Sequence, residues 1–182
     1  MTLTDTTGKP INVGLFENSA PGMNPNVNGP NNTYSLQPGQ SEVLSMPANW
    51  QGRAQEMTGS ASDPATWAEM NFENKNGQDK TWFDESLIRG DNAAVTINDG
   101  QGTTAGSDKS VLAGAPAGIT TTDSGGNQVI KPAEPYTGGT DQNVVNYLDQ
   151  AVGNTNAYIQ NTDNAATKSS NSNNLTVDFG NA

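Results

Sequence analysis

The feature that most limits what this chain can fold into is the alternation across residues 66–73. In TWAEMNFE, Thr66, Ala68, Met70 and Phe72 fall on one face of an extended chain, while Trp67, Glu69, Asn71 and Glu73 fall on the other. A period of two with one apolar face predicts a half-buried strand, and the second face lines a surface. A polar stretch from Asn74 to Asp79, with Asn76-Gly77 inside it, separates this segment from TWFDESLI. Asn-Gly supplies the positive φ values of a tight hairpin turn, so the two segments are expected to pair antiparallel and to set Asp84 opposite Glu69.

The same reading extends along the chain. INVGLFE (11–17) and SEVLSMP (41–47) are short apolar segments that predict early strands, joined by a long loop rich in Pro, Gly and Asn that cannot continue a ladder. AAVTI places Ala93, Val95 and Ile97 on one face, and NLTVDFG does the same with Leu175, Val177 and Phe179. Gly, Thr, Ser and Asp dominate from 98 onward and predict a surface excursion over about 98–135. From Thr140 the period changes: Val144, Val145, Leu148, Ala151 and Val152 recur at helical spacing behind Thr140 or Asp141 as the N-cap, which predicts one helix within 140–152. Many short strands with turn chemistry between them and one helix make an all-β chain, a sandwich or barrel carrying a small helical or loop lobe. The 182 residues suit a single domain.

Composition removes several function classes. Acidic residues outnumber basic ones 19 to 8, for a net charge of −11, and such a surface repels phosphate backbones, so nucleic acid is not an expected partner. The apolar runs are far shorter than the roughly 20 residues that cross a bilayer, so no membrane insertion is expected. With neither His nor Cys, zinc and copper sites and Ser-His-Asp or Cys-His catalysis are out of reach. Oxygen-only calcium sites would draw on Asp91, Asp99, Asp108 or Asp123, none of which stands in an EF-hand order, so no metal and no cofactor is expected. The opening MTLTDTTGKP has no basic and apolar leader pattern. The triplets Asn31-Asn32-Thr33 and Asn174-Leu175-Thr176 match the glycosylation pattern, as chance alone produces in a chain so rich in Asn, Ser and Thr.

The order of these blocks resembles that of the thaumatin-like proteins. YSLQPGQSEVLSMPANWQGR resembles that family's turn and strand leading into a Gly-Arg step, ATWAEMNF its LAEF strand, and WFDESLIRGDNAAVTI its YDVSLVDGFNLPM block. NAYIQNTDNAATKSSNSNNLTVDFG resembles its AYSYPQDD segment and closing V-x-F strand. These motifs cover about half of the chain, in the same order. The resemblance implies a thaumatin-like β-sandwich that acts, secreted or at the cell surface, as a monomer. The plant members are rich in disulfides and this chain has none, so a compact cysteine-free relative is implied.

Many members of that family carry an acidic cleft associated with β-1,3-glucan binding. Carried over by position, the Gly-Arg step gives Arg53, the AE strand Glu69 and the YD start Asp84. The next acidic position is occupied here by Arg89, which reverses its charge, and Asp141 stands in for a further Asp. Trp82 adds a flat apolar surface for a sugar ring. Read from chemistry alone, Glu69, Asp84 and Glu85 are either solvated strand-face carboxylates or members of a shared site, and Arg53 is either an ion-pair partner or a ligand contact. Trp50, Trp67 and Trp82 divide between core and stacking roles. The leading functional expectation is non-catalytic binding of a β-glucan-like polysaccharide or cell-wall glycan by Arg53, Glu69, Asp84, Arg89 and Trp82. A weak endo-β-glucanase would use Glu69 and Asp84 as its carboxyl pair, although an adjacent Arg is expected to hold both ionised. A secreted structural or host-interaction protein without glycan binding is the third reading.

Overall fold

The computed structural model describes residues 1–19 and 25–182. The strands are β1 (Thr2–Asp5), β2 (Ile11–Glu17), β3 (Asn32–Leu36), β4 (Ser41–Val43), β5 (Gln51–Glu56), β6 (Trp67–Lys75), β7 (Gln78–Ser86), β8 (Ala94–Asn98), β9 (Thr104–Ser107), β10 (Thr120–Thr122), β11 (Gln128–Ile130), β12 (Ala157–Tyr158), β13 (Lys168–Ser170) and β14 (Thr176–Gly180), with one helix, α1 (Gln142–Ala151). The chain is all-β, as the strand periodicity predicts. A large sheet runs β12-β7-β6-β5-β2-β3, with β13 also on β7, and a second sheet runs β4-β1-β14-β8-β9. A separate hairpin, β10-β11, belongs with α1 to a lobe.

The alternation of β6 decides how the large sheet sits. Ala68, Met70 and Phe72 point inward and pack with Val13 and Leu15 of β2, Phe83 of β7, and Val95, Ile97, Val177 and Phe179 of the second sheet. Burying these side chains from both inner faces is the main favourable contribution of the sandwich. β6 and β7 form the expected hairpin, from Trp67 opposite Ser86 to Lys75 opposite Gln78, turned by Asn76 (φ 56°) and Gly77 (φ 75°). Gly52 lets β5 approach β2 closely: a Cβ there would lie 2.0 Å from the Phe16 carbonyl oxygen.

Several stretches differ from the sequence expectation. The polar segment after β2 was expected to be loop throughout, yet it supplies β3, which pairs antiparallel with β2; residues 20–24 of that segment lie outside the described residues. Polar side chains do not prevent pairing when the backbone of an edge strand finds a partner. The predicted strand at 41–47 is shorter, ending at Val43. The 98–135 stretch is not a surface excursion: β9 completes the second sheet, and Val111, Ile119 and Ile130 are buried with Val144, Val145, Leu148 and Ile159 in a second apolar core. Those apolar residues are too widely spaced among Gly, Ser and Thr to show a period. α1 falls inside its predicted limits, with Asp141 as N-cap accepting from the Asn143 and Val144 amides.

Candidate functional site

Register brings one row of side chains onto the outer face of the large sheet. Phe16 on β2 is opposite Arg53 on β5, Arg53 is opposite Glu69 on β6, and Glu69 is opposite Asp84 on β7. Directly opposed residues of an antiparallel pair have Cβ atoms about 4.5–5.5 Å apart, so the two carboxylates share one environment. Alongside this row run Gln51, Asn71 and Trp82, also mutually opposed.

These two rows floor an open cleft of about 340 Å³, bounded by Glu69, Asp84, Asn71, Trp82 and Gln51. Its second wall comes from the chain around β12, which adds Tyr158, Asn161 and Thr167. That wall is braced: the Tyr158 and Thr167 hydroxyls share a hydrogen bond of 2.7 Å, and the Asn161 amide donates to Glu134. Sequence reasoning placed Asn71 on the right face but assigned no role to the wall residues, because they reach the cleft through a parallel pairing of β12 with β7 that no local pattern announces.

The structure sorts the expected site residues. Glu69 and Asp84 are half-buried and line the cleft. Trp82 is 38% exposed at its edge, with the Lys80 ammonium 4.3 Å from the ring centroid, whereas Trp50 and Trp67 are core. Arg53 is 1% exposed and does not line the cleft. Its guanidinium is sandwiched 3.9 Å from each of the Phe16 and Trp67 ring centroids; Nε donates to Gln55 Oε1 and one terminal nitrogen to the Asn26 carbonyl. Arg53 therefore supports the floor of the cleft from within the face. Arg89, in the turn after β7, donates to the Glu134 carbonyl and stacks 4.2 Å over Tyr136, outside the cleft lining. Asp141 caps α1 and is likewise outside it. Glu85 is neither solvated nor part of this face: it points inward, 1% exposed.

Electrostatics follows from these positions. Among the described residues the ion pairs are Lys9–Glu56 at 3.7 Å and Lys75–Glu73 at 2.5 Å, so neither cleft carboxylate has a salt-bridge partner. Burial pushes Glu69 above the ordinary carboxylate range, with the charge of Arg53 opposing it and the Ser86 hydroxyl also helping the ionised form. Asp84 goes well above its ordinary value, first through burial and then through the charge of Glu69, and its Oδ1 has no hydrogen-bond partner. Arg53 thus does not hold the pair below the ordinary carboxylate range: at Glu69 desolvation outweighs its charge, and its hydrogen bonds go elsewhere. Burial lowers Arg53 itself to about 10, which leaves it cationic at neutral pH.

Among the described residues there is no group of three or more acidic side chains able to hold a metal ion. Asp99 and Asp123 spend their carboxylates on the backbone amides of their own turns. Among the same residues no helix is long and apolar enough to cross a membrane.

No family model matches the chain, and no curated protein matches its sequence. Among solved structures, a thaumatin-like xylanase inhibitor matches over 98% of this chain and 97% of its own, with a TM-score of 0.45 and 11% identity. Similarity at that level carries neither a family assignment nor a function to this chain.

Proposed function

We propose that this protein is a non-catalytic glycan-binding protein of thaumatin-like type, secreted or at the cell surface, and that β-glucan-like polysaccharide lies in the cleft over Glu69, Asp84 and Trp82. The observation that carries this reading is the cleft lining itself. An exposed indole stands beside two carboxylates, and amides and hydroxyls together with Met70 and Ile88 make most of the remaining lining, which is chemistry suited to a ligand that presents ring faces and many hydroxyl groups. Carboxylate acceptors give charge-assisted hydrogen bonds to hydroxyls, stronger than neutral ones. Arg53 acts from beneath, holding Trp67 and Phe16 so that β5 and β6 keep the floor flat. Arg89, although reversed in charge from the family pattern, lies outside the lining and leaves the carboxylate pair in place.

A second reading has a specific observation behind it: an endo-β-glucanase needs two facing carboxyls, one with a raised pKa as acid and the other ionised as nucleophile or base, and here Glu69 and Asp84 face each other with Asp84 raised well above its ordinary value. Retention on insoluble β-glucan, chitin and cellulose, with released reducing sugar measured in the same tubes, separates the readings. Retention without sugar release is expected, and Trp82→Ala, Glu69→Gln and Asp84→Asn should each weaken it by roughly tenfold. Sugar release lost in Glu69→Gln and Asp84→Asn would establish the enzyme instead. Absence of both retention and release would leave the interaction-protein reading.

A further inference from the structure

The cleft holds one carboxylate more than its surroundings balance. Glu69 lies opposite Arg53 across β5 and β6, while Asp84, on the far side of Glu69, has no salt-bridge partner among the described residues and one buried oxygen without a hydrogen bond. The nearby cations are directed elsewhere. Arg53 donates to Gln55 and the Asn26 carbonyl and lies between two rings, its other terminal nitrogen buried without a hydrogen bond; Arg89 contacts the Glu134 carbonyl and Tyr136, Lys168 the Thr155 and Ala165 carbonyls, and Lys80 the Trp82 ring. A carboxylate desolvated in this way gains from a cation brought by the ligand, since a charge-assisted contact offsets its desolvation.

A second observation points the same way. At the cleft edge the face of Trp82 already carries an ammonium, that of Lys80, 4.3 Å from the ring centroid. The edge thus accepts a primary ammonium against an indole, beside the opening that the Asp84 carboxylate lines. A metal ion fits poorly here: calcium takes 6–8 oxygen ligands, and among the described residues no third acidic side chain joins the pair. The net charge of −11 also draws polycations toward the molecule and repels polyanions.

We propose that the glycan taken by this cleft carries free amino groups, as in a deacetylated amino-sugar polymer, with one sugar ammonium set against Asp84 and the ring of that or the adjacent sugar on Trp82. This rests on the glycan-binding reading and narrows its ligand class. Asn71 and Gln51, which also line the cleft, carry amide oxygens, the group that would accept the remaining ammonium hydrogens.

The test is calorimetric titration, at near-neutral pH and fixed ionic strength, with glucosamine, N-acetylglucosamine and β-1,3-glucan oligomers of matched length and with a lysine oligomer. The glucosamine oligomer is expected to bind at least ~10-fold more tightly than its acetylated counterpart and than the lysine oligomer. Asp84→Asn should bring the two sugar oligomers to within about twofold, whereas Asp108→Asn, the same charge change at an exposed position outside the cleft, should keep the preference. Thermal melting checks that both variants are folded. Equal binding of the acetylated and free-amine oligomers overturns the proposal, as does a lysine oligomer that matches the glucosamine oligomer, or equal erosion by the two Asp→Asn changes. If the neutral oligomers bind without discrimination, the glycan-binding reading stands and this inference falls; if no sugar oligomer binds, both fall.

Discussion

Arg53 and Trp82 lie on the same face of the same sheet and do opposite things. Arg53 is closed in by Phe16 and Trp67 and contributes through packing and two hydrogen bonds. Truncation leaves a void between two rings and strands the Gln55 and Asn26 acceptors. Arg53→Ala is therefore expected to cost about 2–4 kcal/mol in urea unfolding, the range for removing a large buried side chain. Trp82 is exposed at the cleft edge, so Trp82→Ala should change stability by less than about 1 kcal/mol while weakening glycan retention. A large stability loss in Trp82→Ala, or a negligible one in Arg53→Ala, would contradict this division. Sequence spacing put both residues on the outer face but could not separate them. What distinguishes them is a neighbour from β2, and a long-range pairing sets that neighbour. Glu85 shows the same limit: alternation puts it on the face opposite Asp84, toward the core, yet a carboxylate in an acidic chain reads as solvated until Val95 and Ser107 are seen to donate their amides to it.

At the scale of elements, two short pieces of backbone chemistry hold the site in place. Gly52 brings β5 against β2, and Gly52→Ala forces a Cβ onto the Phe16 carbonyl, so the two strands must part; a loss of about 1–3 kcal/mol is expected. Asp141 caps α1, and Asp141→Ala should cost about 1 kcal/mol by the same denaturation assay, without touching glycan retention, because the cap is remote from the cleft lining. A change in retention for Asp141→Ala would mean that α1 couples to the cleft. The elements legible in the sequence are those whose pattern is local: the β6–β7 hairpin, with its alternation and Asn-Gly turn, and α1, with its cap and period. β8 and β14 also showed their apolar face. β1, β3, β12 and β13 did not, since Thr2–Asp5 and Lys168–Ser170 carry few apolar residues and are strands by virtue of partners far along the chain. The floor of the cleft was thus readable from β6 and β7, whereas its wall, supplied by β12 and the segment after it, was not.

At the scale of the whole molecule, buried carboxylates set the pH dependence of stability. Asp91 is 2% exposed in the joint between the sandwich and the lobe, where its backbone exchanges hydrogen bonds with Ile130, and burial raises its pKa from 3.8 to about 7, with the Thr66 hydroxyl opposing. Unfolded, it releases its proton near 3.8; folded, it keeps it until about 7. In that interval the folded state binds the proton that the unfolded state gives up, so stability is fully present below the lower value and declines as pH rises through the upper one. The shift corresponds to roughly 4 kcal/mol. Glu56, Glu69, Asp84 and Glu85, all raised by burial, act with the same sign. Asp99, lowered to about 2 chiefly by the Ser170 hydroxyl, and Asp63 and Asp123, lowered against burial chiefly by the Ser124 and Thr58 hydroxyls, act oppositely: their contribution is present above the ordinary carboxylate range and is lost as pH falls below it. The melting temperature is therefore expected to peak at about pH 4–5 and to fall toward neutrality. Repulsion within a chain of net charge −11 deepens that fall, so the wild-type curve alone does not isolate the buried acids. Asp91→Asn does: it keeps the shape, removes the titration and changes the net charge by one unit, and so should flatten the decline and leave the variant at least as stable as the wild type above about pH 7, whereas Asp108→Asn at the exposed surface should leave the slope nearly unchanged. Equal slopes in these two variants, or a wild-type melting temperature that rises toward neutrality, would show that Asp91 is ionised in the folded protein and that the joint is held without its proton.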